Sequence, residues 1–387
     1  MPKILSRCLT ALLLAAATGA PLRAEDGVDT GAYLAARIAE AENDFPAAAM
    51  WYGKAILADP GNPQILEGAI LADIGTGDFA LAIKAAQELR ALGGEKSQLA
   101  ELALLADEAG REDYAAILAA AEAGRDVGGL ATSLVTAWAK VGEGKMSDAV
   151  KAFDAVATSK GLEAFGLYHK ALALALVGDF QGADDILSGK AAGPIFLMRR
   201  GILAHAQILS QLERNADALA LLDKSFSSQP DPVTDALRRR LEAGEPVPFD
   251  TIRTARDGIA ETFYTISTAL NGEEDPVYTL IHLRIASFLQ PENADALLLM
   301  ADVLGVLGLS DLAVKTYEEF PEDSPYHVSA VIGLANALRS QGKADIAIEA
   351  LQELARSQGD LISVQFSLGE LLRAEKRFDE AELAYSA

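Results

Sequence analysis

Small residues recur along this chain at a fixed interval, and the apolar positions around them keep helical spacing. Ala313, Ala347 and Ala381 lie thirty-four residues apart. Each is followed four positions later by a bulky residue (Tyr317, Leu351, Tyr385) and preceded twelve positions earlier by another small one (Ala301, Ala335, Gly369). Positions four apart share one face of a helix. The pattern predicts two antiparallel helices per interval, meeting where small side chains let the backbones approach. Leu297, Leu304 and Tyr317 then fill the space around the crossing and against the next pair. No such pair closes a core alone, so the pairs must stack.

The same place is held earlier by Ala48, Ala82, Ala116, Ala149, Ala183 and Ala218, at spacings within one residue of thirty-four. Its bulky partner is Tyr52, Phe153, Leu187 or Leu222 in four units, but only Ala86 and Ala120 in the second and third. The small residue of the first helix is Ala36, Ala137, Ala171 or Ala206, while Ile70 and Leu104 replace it in those same two units. Both units are therefore expected to pack more loosely. Asn43-Asp44-Phe45, Gly77-Asp78-Phe79, Gly144-Lys145-Met146 and Gly178-Asp179-Phe180 read as turns in which Gly or Asn ends one helix and, in three of them, Asp begins the next. Pro60, Pro230, Pro291 and Pro325 act as stops between units. One stretch breaks the period: Ala218 to the matching Thr279 is sixty-one residues. The surplus, 233–259, reads as a charged helix from Val233 to Glu242 and an extended connector through Gly244 to Phe249, joining two blocks, 25–232 and 260–387. The alternative is a partner-binding loop anchored by Phe249.

Period and spacing together resemble the tetratricopeptide repeat. The resemblance implies an all-α fold, a right-handed superhelical solenoid of helix-turn-helix repeats, six in the first block and four in the second with the last truncated. In that family the first helix of each unit lines a concave surface, and its second, fifth, ninth and twelfth positions meet the ligand. Carried onto this register, those positions include Tyr33, Arg37, Trp138, Phe165, Tyr168, Tyr264, Asn336, Arg339, Phe366 and Arg373. The first block is expected to present an aromatic wall suited to an apolar helix or extended segment. The last two units are more cationic, and Asn336, Arg339 and Arg373 are candidates for a small anion site. The Lys/Asn set with which relatives grip a terminal carboxylate is missing, its places being held by Tyr33, Glu67, Glu101 and Leu134.

Composition narrows the function. Half of the residues are hydrophobic but only 6% are aromatic, and the formal net charge is −23, which favours close-packed helices and argues against nucleic acid as a partner. An acidic surface attracts cationic segments and keeps an apolar array in solution. Lys3 and Arg7 precede an apolar run, Leu9 to Ala20, and Leu22-Arg23-Ala24 offers a cleavage site before Glu25. Residues 1–24 thus read as a secretory signal, with a periplasmic or secreted destination and no membrane span after cleavage. The single cysteine, Cys8, lacks lipoprotein-type surroundings and leaves with the signal, so disulfide and thiolate chemistry are not expected.

No phosphate loop, His-Glu-x-x-His helix or Gly-x-Ser-x-Gly elbow occurs. Gly75 to Ala80 matches a loose dinucleotide fingerprint, but it follows a helix rather than a strand. His169, His205, His282 and His327 fall in different units without metal-ligand spacing. No catalytic residue, metal or cofactor is expected. The favoured reading is an exported scaffold that binds other proteins or peptide segments. The alternative is the recruiting or regulatory front end of an enzyme whose catalytic domain lies beyond residue 387, and a third option is a structural homo-oligomer. The last unit lacks a polar cap, so the chain is expected either to continue or to cover Leu371, Leu383 and Tyr385 by self-association or a partner.

Overall fold

The computed structural model describes residues 30–93, 97–193, 195–226 and 232–387. The expected signal, 1–24, and the stop at Pro230 lie outside the described residues. Every regular element among the described residues is an α-helix. Six hairpins come first: α1 (Thr30–Ala41) with α2 (Phe45–Ala58), α3 (Pro63–Thr76) with α4 (Phe79–Ala91), α5 (Gln98–Gly110) with α6 (Tyr114–Glu122), α7 (Gly129–Gly142) with α8 (Met146–Ala157), α9 (Glu163–Leu176) with α10 (Phe180–Leu187), and α11 (Arg199–Gln211) with α12 (Asn215–Phe226). A lone helix, α13 (Pro232–Glu242), and an irregular stretch, 243–254, precede four more. These are α14 (Ala255–Leu270) with α15 (Pro276–Leu289), α16 (Ala294–Val306) with α17 (Ser310–Glu318), α18 (His327–Ser340) with α19 (Ala344–Ser357), and α20 (Ile362–Ala374) with α21 (Phe378–Ser386). The fold is an all-α helical-repeat solenoid.

Local chemistry explains the hairpins. Asp44, Asp78, Asp113 and Asp179 each accept a hydrogen bond from the backbone N–H three residues on, at 2.9–3.1 Å, satisfying a donor that the first helical turn leaves unpaired. The preceding turns need a left-handed residue, which Asn43 (φ 59°), Gly77 (φ 90°) and Gly178 (φ 87°) supply. At the crossings Ala36, Ala48, Ala82, Ala137, Ala149, Ala171, Ala183, Ala206 and Ala218 are fully buried. A larger side chain there would push the two backbones apart.

The expected loose packing is found in one of the two units. In the second, Ile70 and Ala86 are fully buried. In the third, Ala116 and Ala120 are only half-buried, because nothing bulky stands at Ala120 to draw α6 inward. A cleft of about 630 Å³ opens there between α6, α7 and α8.

First helices of neighbouring hairpins touch one another (α1 and α3, α3 and α5, α7 and α9, α16 and α18, α18 and α20), which places that row on the inside of the bend. The trough of the first block does not stay open. Helix α14 lies against α5, α7 and α9, and α15 lies against α3 and α5. One hydrophobic core consequently runs from Phe45 of α2 to Ala337 of α18. Two α15 side chains pin the arrangement. Phe288 stacks on Phe79 with centroids 4.3 Å apart, and Arg284 Nε donates to the carbonyl of Gly75 at 3.0 Å. Burial lowers the Arg284 pKa to about 10, with Glu319 opposing. The side chain stays charged at neutral pH, where a cation at the C-terminal end of α3 is favoured. Phe249, in the connector, is half-buried on Phe180, centroids 6.5 Å apart, so it is docked within the molecule. At the last hairpin Leu371 belongs to the core, whereas Leu383 and Tyr385 are exposed.

Substituting Ala171→Leu, at a fully buried crossing, is expected to cost about 1–3 kcal/mol. Ala116→Leu, at the half-buried equivalent position on α6, is expected to cost clearly less. Urea denaturation of the two variants checks this, and equal losses would contradict the difference in packing.

Candidate functional site

Four of the ten expected ligand residues, Trp138, Phe165, Tyr168 and Tyr264, gather at the trough of the first block, and the structure fills part of that trough with α14. That helix opens with a reciprocal cap in which the Thr254 hydroxyl accepts from the Asp257 N–H at 3.2 Å and the Asp257 carboxylate accepts from the Thr254 N–H at 3.0 Å. It is hidden on most sides: Gly258, Glu261, Thr262, Thr265 and Ser267 are buried along with Ala255, Ile259, Ala260, Phe263 and Ile266. The hydroxyls of Thr262, Thr265 and Ser267 each donate to the carbonyl four residues earlier, at 2.7–3.0 Å. Small polar residues can therefore face the wall without leaving an unpaired group.

Trp138 of α7 has no exposed surface and lies flat against the backbone of α14. A Cβ added at Gly258 would stand 2.2 Å from its indole. Its Nε1–H donates to His169 Nδ1 at 3.0 Å. His169 Nδ1 thus carries no proton, and its Nε2–H donates to Thr265 Oγ1 at 3.1 Å. Burial depresses the His169 pKa to about 3, so the neutral tautomer this chain of bonds needs is the one present. Tyr168 donates to Glu261 Oε1 and Arg200 Nε donates to Glu261 Oε2, both at 2.8 Å. Burial, with Glu261 adding, raises the Tyr168 pKa well above its ordinary value and keeps it a donor.

These contacts correct the expected roles of two residues. Trp138 and Tyr168 do face the trough, but what meets Trp138 is the chain's own helix, and the Tyr168 hydroxyl is committed to Glu261. The helix whose Tyr264 is expected to line the groove is itself the occupant of the first block's trough.

Beside α14 the trough reopens. Phe165, Tyr168 and Tyr264, three of the ten expected residues, meet in a cavity of about 200 Å³ together with Phe196, Leu197 and Met198. Residues 195–198 are irregular and lead into α11. Phe196 is 87% exposed and Met198 41%. Arg200 and Glu261 reach the cavity wall, but the guanidinium is engaged on every side. Besides Glu261 it donates to Asp295 Oδ2 at 3.2 Å and to the Thr251 carbonyl at 3.3 Å, and it lies 5.8 Å from the Tyr264 ring.

The remaining expected residues fall elsewhere. Tyr33 and Arg37 line an open pocket of about 370 Å³ between α1 and α3, with Glu40 and Glu67. Arg37 pairs with Glu40 at 2.8 Å, and Glu40 also accepts from Tyr52. In the last two units Asn336 and Arg339 are exposed. Arg373 is held by Glu370 through two hydrogen bonds of 2.7 and 3.2 Å. Phe366 faces Tyr385 with ring centroids 6.2 Å apart. No hydrogen bond or ion pair among the described residues joins Asn336, Arg339 and Arg373. Phe196, Met198, Arg200, His169, Gly258 and Glu261 were not expected at the site. Glycine, glutamate and hydroxyl residues on several faces of the 255–270 helix were the available signal that it would be enclosed.

No known protein-family profile and no curated protein matches the chain. Among solved structures it is similar to Naa15/Naa10 bound to HypK-THB (17% identity, 90% of this chain and 61% of that chain, TM-score 0.32). It is also similar to the P58(IPK) TPR domain (16%, 92% and 91%, 0.22) and to yeast Tom70 (15%, 94% and 90%, 0.27). The chain thus spans less than two thirds of the first of these. What fold and site define is a helical-repeat protein whose trough is partly filled by its own seventh hairpin. Among the described residues no helix is long and apolar enough to cross a membrane, and no cluster of His, Cys, Asp or Glu is arranged to hold a metal ion.

A pH dependence follows from His169. Its folded pKa lies below the usual 6.5, so the unfolded chain binds the proton first. The contribution of His169 to stability is complete above pH 6.5 and is lost as the pH falls toward 3. Asp73, pushed up to about 7 by burial and by Asp78, works the other way over part of that range. Comparison with His169→Gln isolates the histidine, since the amide can still accept from Trp138 and donate to Thr265. Followed by Trp138 fluorescence, acid unfolding of that variant is expected at a pH lower by roughly half a unit or more. An unchanged transition would contradict the assigned role.

Proposed function

We propose that the protein is a non-catalytic interaction scaffold, exported to the cell envelope, that docks a segment of another protein on its concave side. The observation that carries this reading is the aromatic cavity at Phe165, Tyr168 and Tyr264, with Phe196 and Met198 exposed on its rim. Aromatic and Met side chains at the edge of a concave apolar site are characteristic of binding surfaces. Docking is proposed at the part of the trough that α14 leaves open, not along its whole length. Export is supported by the basic and apolar pattern of residues 3–24.

A photo-crosslinking amino acid at position 196 tests the reading, with Leu57, 86% exposed on α2, as the control position. In cells that make the protein, a specific protein adduct is expected at 196 and not at 57. It should form in the envelope fraction, on a chain that begins at Glu25. Adducts at 57 alone, or a cytoplasmic chain that retains residues 1–24, would contradict the proposal.

A further inference from the structure

We propose that the cavity between α9, α11 and α14 is a socket for a single apolar anchor, a Phe or Leu side chain. The anchor belongs to a partner segment lying extended along residues 195–198 and carrying basic residues on either side. The inference rests on the scaffold reading and names the partner's chemistry.

Size sets the first limit. A cavity of about 200 Å³ is smaller than the roughly 300–1,000 Å³ of pockets that bury small-molecule ligands, yet suits one large side chain. Polarity sets the second. Every polar group near the floor already has a partner: Tyr168 donates to Glu261, Arg200 donates to Glu261, Asp295 and Thr251, and Thr265 donates back to its own helix. An anionic or hydrogen-bonding head group would have to break one of these bonds, whereas an apolar anchor breaks none. The rest of the lining is ring and aliphatic surface from Phe165, Tyr264, Leu197 and Met198.

The rim fixes how the segment would lie. The backbone groups of Ile195, Phe196 and Leu197 make no hydrogen bond within the described residues, and this non-helical stretch runs beside the cavity. It offers an extended partner backbone donors and acceptors next to the socket, which is how strand-type recognition combines affinity with one specific pocket. Phe196, 87% exposed, is placed to fold over the anchor. Charge supplies the flanks. Exposed Glu163 directly precedes the wall residue Ala164, and the whole chain carries −23, so lysine or arginine beside the anchor is favoured.

The test is fluorescence anisotropy of the full chain with a labelled nonapeptide of alternating lysine and threonine around one central phenylalanine, against the same peptide with central alanine. The phenylalanine peptide is expected to bind at least about tenfold more tightly, the effect of burying one large apolar side chain. Ala164→Trp, an exposed position at the mouth, is expected to abolish that preference, and Phe196→Ser to reduce it severalfold. Equal binding of the two peptides, or a preference that survives both substitutions, would overturn the socket. If the position-196 adduct nevertheless forms in cells, the scaffold reading stands and only the socket falls. If neither is seen, both fall.

Discussion

The structure depends on the seating of one helix backbone against one indole. A curved array of hairpins exposes the apolar faces of its first helices to the trough, and exposed contiguous apolar surface is costly unless something covers it. Here α14 covers it, and Gly258 permits the approach by leaving the Trp138 ring in contact with bare backbone. The approach would be unfavourable if it buried unpaired polar atoms. The relay from Trp138 through His169 to Thr265 prevents that, because each group both fits and is satisfied. Neutral histidine is what allows one ring to accept on one side and donate on the other.

The same seating ties the two blocks together. Glu261 of α14 holds Tyr168 of α9 and Arg200 of α11, and Arg200 reaches on to Thr251 in the connector and Asp295 of α16. Asp295 in turn accepts from Arg199 at 2.9 Å and from Tyr326 at 3.0 Å. Burial works against the charge on Arg200, and the carboxylates of Glu261 and Asp295 restore it. Breaking a buried pair of this kind by removing one partner is strongly destabilising. The network therefore fixes the wall of the open cavity as firmly as the packing does. The cavity is bounded by helices on the α9, α11 and α14 sides and by the irregular residues 195–198 at its lip.

Much of this architecture was legible in the sequence. The thirty-four-residue interval of small residues located the hairpins, since helices cross closely only over small side chains, and Ala48, Ala149, Ala183 and Ala313 are all fully buried. The aspartates after the Gly or Asn turns announced their caps. The second unit is tight despite Ile70 in place of a small residue, because α15, distant in sequence, presses on α3 and α5 and fills that region. The candidate site was half legible. Phe165, Tyr168 and Tyr264 do meet, but Trp138 is covered, because a repeat register tells which face a residue occupies and not whether a distant segment returns to that face. The connector, 243–254, gave no sign that it carried the seventh hairpin back into the trough. In the last units Arg373 pairs with Glu370, three residues away on the same helix face, where i, i+3 pairing is favoured.

The occupied trough is tested most directly by proton–proton contacts in the intact protein. With tryptophan and glycine selectively labelled, a nuclear Overhauser effect between the Trp138 ring protons and the Gly258 Hα protons is predicted, since a Cβ at Gly258 would lie 2.2 Å from that ring. A Gly258 signal assigned but without any contact to tryptophan, in a chain whose α7 and α9 resonances are otherwise those of a folded solenoid, would contradict the account.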